Sequence, residues 1–174
     1  VQISAYARWN DNPNFPSATG EDLKIVGFGR TEVNGPTSAI LTEGKLDYLN
    51  DEVCKVRYDK YDPESSLCAD SPSTGICLGD SGSPALARGG TLVVGLASYL
   101  IGGCASSYPD FFVRISSYRN WLKQMTCTQA LDPPGWCNSQ GGGQGNGQGN
   151  GSSGTDAGTG TGAADPLTNF FSLI

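Results

Sequence analysis

Apolar positions along this chain fall into short runs separated by glycine, proline and polar residues. Ile25-Val26-Gly27-Phe28-Gly29 is an apolar run ending in a glycine turn, the pattern of a buried strand. Leu41 to Leu49 alternates in part and reads as a second strand, whereas Tyr58 to Asp80, rich in Asp, Pro, Ser and Gly, reads as loop. Thr91 to Ser98 is the strongest strand signal, and Phe111 to Ile115 is the next, with Pro109 marking its start. Tyr118, Trp121, Leu122 and Met125 follow helical spacing, with Ser116 or Ser117 available as N-cap. That predicts one short helix packed by its aromatic face. Short strands, Gly/Pro loops and a closing helix predict an all-β fold, a six-stranded antiparallel barrel.

The last third is built differently. From Gly141 to Gly162 glycine alternates with Gln, Asn, Ser and Thr, a composition that cannot bury enough apolar surface to offset chain entropy. It reads as a flexible tail, and Leu167 to Ile174, apolar again, reads as a disordered terminus rather than a partner-binding peptide. Three parts are expected: a barrel at 1–126, a Cys-bounded loop at 127–139 and the Gly/Ser/Asn/Gln-rich tail at 140–174. Asn150-Gly151-Ser152 matches the glycosylation acceptor pattern, which is a common triplet.

Composition narrows the function classes. The net charge of −6 argues against nucleic acid or an acidic membrane surface as partner. No run approaches the ~20 apolar residues of a membrane-spanning helix. The chain begins at Val1 without a charged-then-apolar leader, and Met125 is the only methionine, so a processed product or fragment is expected. Six cysteines fit an oxidising, extracellular setting, although about 15 pairings are open to them. Zinc is disfavoured because the chain has no histidine and no C-x2-C pair, and no metal or other cofactor is expected.

The densest chemical signal is Gly79-Asp80-Ser81-Gly82-Ser83-Pro84. Acyl transfer needs a nucleophile and N–H donors aimed at the developing oxyanion. Gly79 permits close backbone approach, Ser81 carries a hydroxyl and a second N–H, and Gly82 keeps the loop tight. The G-x-S-x-G elbow fails as a template by one residue, because Ser83 stands where its second glycine belongs. A serine hydroxyl is a weak nucleophile without an adjacent base, and this chain holds no histidine to serve as one.

The surroundings carry a resemblance. Cys77-Leu78-Gly79-Asp80-Ser81-Gly82-Ser83-Pro84 resembles the nucleophile signature of the trypsin/chymotrypsin family, which normally ends Gly-Gly-Pro. Gly27-Phe28-Gly29 resembles that family's Gly-Trp-Gly strand, Gly95-Leu96-Ala97-Ser98-Tyr99 its Gly-Ile-Val-Ser-Trp strand, and Tyr118 to Met125 its closing helix. Cys54 with Cys68, followed by Tyr58 at the usual place, resembles the bridge around the intermediate helix. Cys77 with Cys104 resembles the bridge that holds the specificity pocket. Cys127 and Cys137 are expected to close the small loop that follows. The resemblance covers about residues 20–126.

The resemblance implies the C-terminal barrel of a two-barrel serine endopeptidase. Ser81 would be the nucleophile, and the N–H groups of Gly79 and Ser81 would form the oxyanion hole. In that family the catalytic His and Asp lie in the N-terminal barrel, before the Gly-Trp-Gly strand, so they are expected outside this chain. Asp11 and Asp22 lack the family's Asp-Ile-Ala-Leu context and read as solvated loop residues. Lys24-Ile25-Val26-Gly27 imitates an activation cleavage site, but stands too near Ser81 to be one. Asp80 would pair with an N-terminal ammonium after activation. Without it, Asp80 is expected to be exposed in a loosened loop or re-paired, because a buried unpaired carboxylate is costly.

The specificity pocket would be lined by Gly75, Ile76, Ser98, Tyr99, Leu100 and Asp110. Gly75 stands where trypsins carry the aspartate that receives Lys or Arg, while Asp110 stands on the opposite wall, where most relatives have glycine. That arrangement resembles the brachyurins. It implies a mixed basic and apolar preference, with Leu100 narrowing the mouth. The expected partners are a protein or peptide substrate and the N-terminal barrel of the same protein, and the expected location is secreted. The alternative is a non-catalytic protease homologue acting as a binding or regulatory module. At about 25 cal/mol per Å2, an uncovered barrel interface of ~600 to 1,500 Å2 leaves an isolated half marginal or aggregation-prone.

Overall fold

In the computed structural model, which describes residues 6–104 and 106–140, the alternating runs become strands whose buried positions fall on one side. Strand β2 (Asp22–Gly27) turns Leu23, Ile25 and Gly27 inward. β3 (Thr42–Leu49) does the same with Leu46 and Tyr48. The others are β1 (Arg8–Trp9), β4 (Ser66–Asp70), β5 (Pro84–Ala87), β6 (Leu92–Tyr99) and β7 (Asp110–Arg114). Six of them close antiparallel in the order β2-β3-β4-β7-β6-β5 and back to β2. β1 adds parallel to β6 at Leu92 and Val93, on the part of β6 that β7 does not reach. This is the closed six-stranded barrel of the chymotrypsin-like fold. Its interior is filled by Leu23, Leu46, Tyr48, Leu67, Val94 and Phe112.

Two helices lie against the barrel. α1 (Asp51–Arg57) starts at Asn50, whose side chain accepts from the Val53 N–H, with acids in its first turn and Lys55 and Arg57 in its last. Those placements suit the orphan N–H groups and the helix dipole. A Cys54–Cys68 bridge fastens α1 to β4, Cys77–Cys104 ties the segment before Ser81 to the loop before β7, and Cys127–Cys137 closes the loop after α2 (Arg119–Gln129). Buried Arg114 of β7 donates from Nε to the Ser66 carbonyl and from Nη2 to Asp51 Oδ1 and Tyr61 Oη. The Tyr61 hydroxyl in turn donates to Asp51 Oδ1 at 2.6 Å. This network fastens α1, the turn after it, β4 and β7 together.

Three expectations need correction. The stretch from Tyr58 to Asp80 contains β4, whose Leu67-Cys68-Ala69 are all buried and so show no alternation to read. The residues before α2 form a 3-10 turn, Ile115–Tyr118, in which Ser116 is buried. The helix N-cap is Tyr118, without a side-chain cap bond. The helix is also not packed by its aromatic face: Trp121 and Met125 are 45% and 38% exposed, and no α2 residue is buried. Helical spacing predicts a stripe but not what covers it, and the barrel is reached through Ile115 and Ser116 instead. The Gly-rich tail and its apolar end lie outside the described residues.

Arg114→Ala should lower the unfolding free energy by about 3 kcal/mol, since it strands buried polar partners, and Arg114→Lys should recover part of that. The urea midpoint of the chain measures both; equal midpoints for parent and alanine variant would remove the network from the fold's support.

Candidate active site

The loop from Cys77 to Ser83 is two consecutive turns. Asp80 N–H donates to the Cys77 carbonyl at 3.0 Å and Ser83 N–H to the Asp80 carbonyl at 2.8 Å. Gly79 and Gly82 occupy the third position of each turn with φ of 100° and 82°. Those are values for glycine, as a type II turn demands. The loop is then stitched to β6, for Gly82 N–H donates to the Ala97 carbonyl and Ala97 N–H to the Ser83 carbonyl. The result holds Ser81 exposed at the apex. Among the described residues, neither the Ser81 hydroxyl nor the N–H of Gly79 or Ser81 has a hydrogen-bond partner.

Asp80 is the anchor beneath this apex. The residue is 9% exposed, and its carboxylate accepts from the Gly29 N–H at 2.7 Å and the Cys77 N–H at 3.0 Å. Of the two outcomes expected for Asp80, the structure has the re-paired one. Gly27 and Gly29 both face the carboxylate so closely that a methyl group on either would overlap it. The Arg30 N–H donates to the Leu78 carbonyl at 2.9 Å and completes the clasp. A cavity of about 460 Å3 opens beside Asp80, lined among others by Ile25, Val26, Glu32, Gly75 and Cys104.

Asp110, at the start of β7, is 9% exposed and accepts from the Ile76 N–H at 2.8 Å. Its Oδ2 would lie 2.7 Å from a Cβ at Gly75, so glycine there leaves room for the carboxylate. Burial raises the Asp110 carboxyl to about 6; the Ile76 N–H opposes this, and the nearby Asp70 and Asp80 carboxylates add to it. Gly75, Ile76, Asp80 and Asp110 are thus gathered in one place. Ser98 sits at a bulge between Ala97 and Tyr99. Tyr99 stacks on Phe111 at 4.6 Å, and Leu100 packs on the main core. Asp11 and Asp22 are both exposed, Asp11 lying 3.8 Å from Lys123. Among the described residues no three His, Cys, Asp or Glu side chains are grouped to hold a metal.

Sequence reasoning overlooked Arg57, Asp70 and the cavity wall at Arg30 to Val33. The glycines at 27 and 29 were the available signal for the carboxylate site. Nothing in the pattern pointed to Arg57, because its partners are 13 and 50 positions away.

Comparison with known proteins places these residues in a family context. The trypsin family model matches residues 1–122. Mast cell protease 2 of Meriones unguiculatus is 37% identical over 108 residues, covering 61% of this chain and 42% of that protein. Serine protease SP24D of Anopheles gambiae is 31% identical over 105 residues, covering 60% and 37%. Chymase of Rattus norvegicus is 35% identical over 108 residues, covering 61% and 42%. The chain therefore spans about two fifths of the length of these curated relatives. A solved structure described as "Structure of GrC" superposes with a TM-score of 0.57 at 26% identity, covering 66% of this chain and 50% of that one.

Gly29→Ala should push the Asp80 carboxylate out and cost about 3 kcal/mol, the sum of overpacking and two lost buried hydrogen bonds. Thermal unfolding and loss of exchange protection at the residue 29 amide would report it. Asp110 has a second signature. Its folded pKa lies above the ordinary 3.8, so its ionisation opposes folding fully above about pH 6, and the penalty fades as pH falls toward 3.8. Asp110→Asn should therefore exceed the parent in stability by on the order of 2 kcal/mol at pH 7.5 and approach it at pH 4. Urea denaturation at both pH values measures this, and a difference independent of pH would refute the assignment.

Proposed function

The chain belongs to the trypsin family, and on that premise we propose that it supplies the nucleophile half of a secreted serine endopeptidase. Ser81, its proton taken by a base from outside these residues, attacks the peptide carbonyl; the C–N bond breaks, the amine leaves with that proton, and water then hydrolyses the acyl-enzyme to the acid and free Ser81. The N–H groups of Gly79 and Ser81 receive the oxyanion. The observation that carries this reading is the double turn, which leaves Ser81 and both N–H groups unengaged above an anchored carboxylate.

The base and its orienting acid come from sequence outside these residues, since the chain holds no histidine. They belong with an N-terminal barrel of the same protein, the division between 1–126 and the later segments being part of this reading. The cavity beside Asp80 suits an apolar residue bearing an ammonium group, which would take up that carboxylate on activation. Gly75, Ile76, Ser98, Tyr99, Leu100 and Asp110 form the pocket for the substrate side chain. Asp110 gives it a carboxylate off the axis used by trypsins, so basic and apolar side chains are both accepted. The missing histidine also favours a second reading, in which the same cleft binds a protein partner without cutting it.

A fluorophosphonate probe should label Ser81 in the full gene product and leave Ser81→Ala unlabelled. The 174-residue chain alone should remain unlabelled, because no imidazole activates its hydroxyl. An unreactive full-length protein would favour the binding reading. In the active enzyme, Asp110→Gly should lower the Arg-to-Phe cleavage ratio about tenfold. An unchanged ratio would remove Asp110 from the pocket.

A further inference from the structure

We propose that Arg57 is a positioning residue for the Asp110 pocket, setting how strongly that pocket takes a cationic side chain. The inference rests on the pocket reading above. Arg57 closes the last turn of α1, and its Nη2 donates both to Asp70 Oδ2 at 3.0 Å and to the Ser107 carbonyl at 2.6 Å. These two acceptors are tied to Asp110 through ladder register and through the chain. Asp70 follows Ala69, the residue paired with Asp110 across the β4–β7 ladder. Ser107 precedes Asp110 by one turn of loop that contains buried Pro109. One guanidinium therefore bridges the end of β4 and the loop that leads into Asp110 and β7.

Charge gives the bridge its consequence. The groups acting on Asp110 are the Asp70 carboxylate from β4, the Asp80 carboxylate from the nucleophile loop and the Ile76 N–H. Both charged neighbours are anions, and each opposes a third negative charge between them. Arg57 is paired with one of them. It and Asp70 border an open cleft, their side chains 40% and 29% exposed, so the pair itself adds little to stability. Its effect is felt instead at Asp110, through partial neutralisation of Asp70 and through the tether on Ser107.

The two halves of this ion pair consequently act in opposite senses. Removing Arg57 leaves Asp70 uncompensated and makes Asp110 harder to ionise. Removing the Asp70 charge makes Asp110 easier to ionise, although the same pair is broken. A purely structural bridge would move both variants the same way.

Benzamidinium, which stays cationic across the range, is titrated by NMR into the 174-residue chain from pH 5 to 8, while Asp110 is followed by carboxyl 13C shift. Binding of the parent should strengthen as Asp110 ionises. Arg57→Ala should weaken it about threefold at pH 6.5 and move the carboxyl midpoint upward. Asp70→Asn should strengthen it about threefold and move the midpoint downward. Arg57→Lys should restore most of the parent midpoint, having restored the charge. Midpoints that move together, or not at all, overturn the role of Arg57. Opposite midpoints with no benzamidinium binding, or binding unaltered by Asp110→Asn, uphold Arg57 and overturn the pocket.

Discussion

A buried carboxylate held by backbone amides is the constraint on which the rest of this molecule turns. Among the described residues Asp80 forms no salt bridge; the N–H groups of Gly29 and Cys77 satisfy it instead. A buried anion without such donors would be costly. One donor follows β2 and the other precedes the loop that carries Ser81, so the carboxylate draws in a segment 51 positions away from it. Gly27 and Gly29 are glycines because the carboxylate occupies the space a side chain would need. Ser81 is presented to solvent because its neighbour is pulled inward.

The same economy of charge extends to the second acid. Asp110 stands within the electrostatic reach of Asp80 and Asp70, and its own donor is again a backbone N–H, that of Ile76. Segment 75–77 therefore serves both carboxylates, giving the Ile76 amide to one and the Cys77 amide to the other. Cys77–Cys104 fixes this segment against the loop that leads to β7. The surroundings of Asp110 and the loop that carries Ser81 are two sides of one short stretch of chain.

Much of the barrel was legible because its longer strands advertise themselves. β6 and β7 are compact apolar runs, β3 alternates in part, and β2 shows itself only as the apolar run at its Ile25-Val26-Gly27 end. β4 was hidden because its buried residues are consecutive, and β1 because a two-residue parallel pairing depends on β6 rather than on its own sequence. At the site, glycine, aspartate and serine at fixed offsets announced the loop. What the sequence withheld were partnerships across the fold: the Gly29 amide for Asp80, and Arg57 for Asp70 and Ser107. Such pairs share no local signal. They arise where strand ends and a helix terminus converge.

Barrel closure is uneven around the ring, and its thinnest place has a consequence for motion. β2 and β3 pair over six positions, from Asp22 with Asp47 to Gly27 with Thr42, whereas β2 and β5 meet only at Lys24 with Leu86 and Ile25 with Ala85. On its other side, away from that seam, β5 is irregular as well, for its register against β6 shifts between Ala85 and Leu86. Local opening follows the fewest hydrogen bonds, so this seam is where the ring parts at least cost. It lies directly after Pro84 and two positions before Gly27. The thinnest seam of the barrel and the loop that carries Ser81 are thus neighbours along the chain, so opening of the one shifts the other.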